Sequence, residues 1–129
     1  MAALRAHAEG LCAREAAVEL LVGHQRWLLR EDFVEAFVGL GGGVASGEAM
    51  AWVDWDGAVV AVDSGRLACS GGEARVLRVA ASLAGGVPVD LGDAVGGLDR
   101  STAMLVAAAA LHAAGWGDAA VALAAVVGS

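Results

Sequence analysis

Between residues 70 and 115, helix starts and stops follow one another so closely that few folds can accommodate them. Ser70-Gly-Gly-Glu73 is a capping box. The serine hydroxyl accepts from the third amide, and Glu73 reaches back to the cap amide. The helix behind it has an apolar side of Val76, Leu77, Ala80, Ala81 and Leu83 or Ala84, with Arg75 and Arg78 facing outward. Gly85-Gly86 stops it, and Pro88 holds the residue before it extended. Asp90 then caps a short helix over 91–97, and Asp99 caps a longer one over 100–114 that Gly115 ends. After Trp116-Gly117, Asp118 is placed to cap a further helix over 119–127.

The rest of the chain reads as helix with one interruption. Over residues 2–30, Leu4, Ala8, Leu11, Val18, Leu21 and Leu28 fall near one helical face, with breaks expected at Gly10 and near Gly23. Glu31 and Asp32 suit a helix start, where acids complement the dipole. Phe33, Val34, Phe37 and Val38 would form the buried side of that helix. Five glycines in the nine residues 39–47 predict a loop, because glycine loses the most freedom on ordering. That loop lacks the lysine and preceding strand of a phosphate cradle. Over 49–65, Asp54 or Asp56 can cap a helix carrying Trp55, Val59 and Val62 inward, with Gly65 at its end. The β-branched run 58–62 leaves a short strand open as an alternative. The expected architecture is all-α: a single domain over 1–129, a compact bundle of roughly five to seven short helices. It divides into N-terminal helices (1–38), a glycine-rich loop (39–48) and a C-terminal helical half (49–129) with a helix-turn-helix-like order.

Composition narrows function by exclusion. The 129 residues carry a net charge of −7, which disfavours nucleic acid and anionic membranes as partners. The longest apolar runs, 103–111 and 119–127, are too short to span a bilayer. The N-terminus shows no continuous apolar stretch of signal-peptide type. Cys12 and Cys69 form no CxxC pair, which fits a reduced, cytoplasmic setting. Hydrophobic residues make up 58% of the chain, much of it alanine and valine. Such a surplus is either a tight small-residue core or an apolar surface covered by another subunit. Lys, Ile, Asn and Tyr are absent, the signature of a GC-rich genome such as an actinobacterial one.

No catalytic, cofactor or metal constellation emerges. His7, His24 and His112 pair with no histidine or cysteine at metal-ligand spacing. In Trp52-Val-Asp54-Trp55-Asp56 the two carboxylates do not converge on a helix, whereas the two tryptophans would share a face. Core tryptophans beside an N-cap aspartate is the preferred reading, and an aromatic contact point for a partner is the other. Trp52, Trp55, Met104, Leu105 and Trp116 are the candidate interaction residues. A small-molecule or enzymatic pocket near Trp55 and His112 is a further alternative.

Val76-Leu77, Val87-Pro88-Val89-Asp90-Leu91, Leu98-Asp99-Arg100-Ser101-Thr102 and Ala114-Gly115 together resemble the helix-turn-helix core of winged-helix bacterial regulators of the IclR and MarR kinds. The resemblance covers about a third of the chain. It implies DNA contact through Arg75, Arg78, Arg100, Ser101 and Thr102. The chain departs from the pattern after Thr102, where Ala103-Met-Leu-Val-Ala-Ala-Ala-Ala-Leu111 stands in place of base-reading polar residues, and no basic wing follows. Over nearly its full length the chain also resembles a group of small actinobacterial proteins without an assigned activity. That likeness rests on Ala17-Val-Glu-Leu-Leu, Trp27-Leu-Leu-Arg-Glu-Asp-Phe, Met50-Ala-Trp-Val-Asp-Trp and 77–91. The leading expectation is a non-enzymatic interaction or regulatory protein that uses an Ala-rich helical surface and associates with itself or a protein partner. A helix-turn-helix DNA binder is the alternative.

Overall fold

The computed structural model describes Leu4 and residues 12–42 and 49–127. In chain order the elements are α1 (Cys12–His24), α2 (Glu31–Phe37), β1 (Val38–Gly42), β2 (Ala49–Val53), α3 (Trp55–Asp63), α4 (Gly71–Gly85), α5 (Leu91–Val95), α6 (Arg100–Ala113) and α7 (Gly117–Val127). The fold is an all-α bundle with one small antiparallel hairpin.

The caps account for most helix starts. Ser70 Oγ accepts the Glu73 amide at 3.1 Å, and Glu73 Oε1 accepts the Ser70 amide at 2.9 Å, completing the capping box of α4. Asp54, Asp90 and Asp99 each accept the amide three residues on, opening α3, α5 and α6. Gly86 ends α4 at φ +67°, a conformation that costs glycine little. Residues 58–62 therefore lie in a helix and not a strand.

α1 lies at the centre, packed on α4 along one side and on α6 along another. Ala16, Ala17, Leu20 and Leu21 of α1 meet a core that includes Val76, Leu77 and Ala80 of α4. Trp27 and Phe33 are fully buried, their rings 5.2 Å apart, and Phe33 continues to Phe37 at 6.0 Å. Trp27 Nε1 donates to the Glu73 carbonyl oxygen at 2.8 Å, tying the 25–30 turn to the first turn of α4. Arg30 covers the Trp27 ring at 5.0 Å. Burying an aromatic side chain of this kind contributes about 1.5–3 kcal/mol.

Several expectations change. Residues 39–42 form a strand and not a loop, and 49–53 form its partner and not the start of a helix. The register pairs Val38 with Val53 and Leu40 with Ala51. Gly39 makes this pairing feasible, since the Trp52 indole occupies the space a side chain there would need. The Asp54 amide donates to the Phe37 carbonyl at 2.7 Å and closes the hairpin's open end. Trp52 and Trp55 consequently share no helical face. Gly23 does not break α1. The helix runs through it to His24 and ends where Gln25 turns left-handed at φ +68°. Val34 is exposed, because α2 buries Phe33 and only part of Phe37. α5 stops at Val95, short of 97, and Asp118 lies inside the first turn of α7 and does not precede it. Gly10, His7, Ala8, Leu11 and the glycine-rich stretch 43–48 lie outside the described residues.

Candidate functional site

α6 follows its aspartate cap with a nearly uncharged run, and the small side chains set how its neighbours approach. Val106, Ala108 and Ala109 are buried, while Met104 and Leu105 are half-buried. α7 packs chiefly on α6. Between α1, α6 and α7 this leaves a groove of about 310 Å³. Leu20, Leu105 and five alanines line it, and Glu19 and His112 are its ionisable lining residues. Gly23 lies close under Leu105: a Cβ there would stand 3.1 Å from Leu105 Cδ2. At the rim, His112 Nε2 stands 3.8 Å from Glu15 Oε1.

α7 itself carries Asp118 and otherwise only glycine, alanine, valine and leucine. A helix that is apolar all round is normally enclosed. Here Val121 is 71% exposed and Val126 52%, and Ala122 and Ala125 are exposed beside them. Trp116, in the turn before α7, is 64% exposed.

A second, polar cleft of about 410 Å³ opens where the end of α1 meets the starts of α4 and α6. His24, Arg26, Glu73, Asp99 and Ser101 line it. His24 Nδ1 is buried with no hydrogen-bond partner among the described residues. Burial, followed by the neighbouring Arg26, holds its pKa below the ordinary histidine value, against the opposing pull of Glu73 and Asp99. Both carboxylates are occupied as helix caps, and both titrate below their usual range mainly because backbone amides donate to them. Sequence spacing did not single out this cluster. Its members come from three elements, and His24 carries no local signal beyond standing at a helix end.

The candidate residues are dispersed. Trp52 is 43% exposed on the hairpin. Trp55 is half-buried in the first turn of α3 and lies against Gly85 of α4. Leu105 and His112 share the groove, and Trp55 lines neither of these two concavities. Of the candidate DNA contacts, Arg78 is bound to Asp63 at 2.5 Å, and Thr102 is buried with its amide donated to Asp99. Arg75 is half-buried against Gly97, while Arg100 and Ser101 are exposed. The element after α6 is α7, where a winged-helix regulator would carry its hairpin.

Cys12 and Cys69 are both free thiols, and burial pushes the Cys69 thiol up, away from the thiolate a nucleophile needs. Among the described residues no group of three or more His, Cys, Asp or Glu could hold a metal ion. No described helix is long and apolar enough to cross a membrane. Comparison with family models, with curated proteins and with solved structures gives no match.

Proposed function

We propose that this chain is a non-enzymatic protein-interaction protein of the cytoplasm, acting through the Ala-rich surface of α6 and α7 and associating with itself. The observation that carries this reading is the exposed side of α7, where Val121, Ala122, Ala125 and Val126 face solvent with no charge among them. Contiguous apolar surface of this kind marks contact sites. The alternative uses of the charged residues are weaker. Asp54, Glu73, Asp90 and Asp99 serve as helix caps, and Arg30 and Arg78 are engaged by Asp32 and Asp63. DNA reading would fall to Arg100 and Ser101 at the head of an alanine helix, in a chain of net charge −7.

Sedimentation velocity over a range of protein concentrations tests the proposal. The expected result is a species heavier than the 12.8 kDa monomer that Val121→Glu with Val126→Glu converts to monomer, with the far-UV spectrum unchanged. A strict monomer at every concentration would defeat it.

A further inference from the structure

We propose that His24 is a proton-operated latch: protonation of its ring parts the start of α6 from the end of α1. The inference is independent of the self-association proposed above.

The geometry comes from three elements that meet at the polar cleft. His24 ends α1, and its Nδ1 is buried with no hydrogen-bond partner among the described residues. A buried ring nitrogen with no acceptor beside it is the one that keeps its lone pair, so the neutral ring holds its proton on Nε2. The next proton must go to Nδ1. There it becomes a buried, charged donor with nothing to accept from it, which is a costly arrangement. The charged groups facing the ring are Arg26 from the turn after α1, Glu73 from α4 and Asp99 from the start of α6. Arg26 repels the new charge. Glu73 and Asp99 attract it, but each carboxylate is already committed to a helix cap. The protonated ring therefore reaches water or a carboxylate only when the cleft widens.

α6 is the wall that yields. The first turn of α4 is fastened twice, by its capping box and by the Trp27 indole bond to the Glu73 carbonyl. α6 instead follows Gly96-Gly97, with Gly97 left-handed at φ +80°. Among the described residues its first turn makes no side-chain hydrogen bond to α1 or α4, and its cap comes from Asp99 next to it in the chain. Val106 and Ala109 hold the later turns of α6 in the core, so the parting is local. The window follows from the three groups. His24 titrates below the ordinary histidine value, and both carboxylates titrate below their own usual range. Between those ranges the histidine gains its proton while Glu73 and Asp99 stay ionised. The closed junction is present above about pH 6.5 and is lost as pH falls through the folded value of His24.

The test follows residue-resolved amide exchange and the ring-nitrogen resonances of His24 together, on the whole chain, from about pH 7.5 to about pH 5. At high pH, Nδ1 is expected to resonate as an unprotonated nitrogen. The Thr102 and Ala103 amides, which bond to the Asp99 side chain and carbonyl, are expected to exchange about tenfold faster at low pH after correction for intrinsic rates. The midpoint of that change is expected to match the His24 titration, while the Glu73 and Ala74 amides at the start of α4 stay unchanged. His24→Gln is expected to remove the effect, and His112→Gln to leave it intact. An Nδ1–H tautomer at high pH overturns the proposal. So does a His24 that takes its proton with the start of α6 unchanged, an acceleration shared equally by α4, or one that persists in His24→Gln. If His24→Gln does not fold, the coincidence of the two wild-type midpoints decides.

Discussion

Trp27 shows how much one side chain organises here. Its indole is fully buried, packs at a tilt against Phe33, is capped by the Arg30 guanidinium and donates to the Glu73 carbonyl. Trp27→Phe keeps a ring but leaves that carbonyl without its donor, so a loss of about 1–3 kcal/mol is expected in urea denaturation. Nothing local in the sequence marks this residue as the largest buried side chain. Its hydrogen-bond acceptor lies in α4, 46 positions away. His24 makes a prediction of the opposite kind. Its folded-state pKa is depressed by burial, so the unfolded chain takes up the proton first as pH falls. The unfolded state then binds more protons, and stability rises with pH. The contribution is present above about pH 6.5 and is lost as pH drops through the folded value. Thermal melts of the wild type should therefore fall from pH 7 toward pH 5 more steeply than those of His24→Gln.

At the scale of elements, helices announced by a cap were legible and the hairpin was not. Ser70, Asp90 and Asp99 act on amides three residues away, so sequence spacing alone specifies them. Ser70→Ala removes half of the capping box and should cost about 1 kcal/mol, read as a shift in denaturation midpoint at unchanged slope. β1 and β2 depend on a contact that composition conceals. A run of glycines argues for a loop until Trp52 is seen to need the space above Gly39. Residues 49–53 pair across the hairpin, and helix begins only after Asp54 supplies a cap. Of the candidate site, Leu105 and the apolar character of α6 and α7 could be read in advance. The groove could not, because it arises from the way α7 stands relative to α1.

For the whole molecule, the surplus of apolar residues and the net charge of −7 act against each other. The contact surface proposed on α6 and α7 carries few charged residues, so salt has little to screen within it. Salt does screen the repulsion between two acidic bodies. Raising sodium chloride from low to physiological ionic strength should therefore strengthen association. A complex held by ion pairs would weaken over the same range, and sedimentation at several salt concentrations separates the two.

α7 rests chiefly on one neighbour while α1 is clasped by two, and this gives the bundle an uneven resistance to opening. Amide protons of α1 should exchange only through global unfolding. Those of α7 should exchange through a cheaper local excursion in which that helix alone lifts away. If a second copy holds α7 down, this excursion is suppressed as the protein is concentrated. Deuterium uptake in residues 117–127 should then slow with concentration while uptake in 12–24 does not.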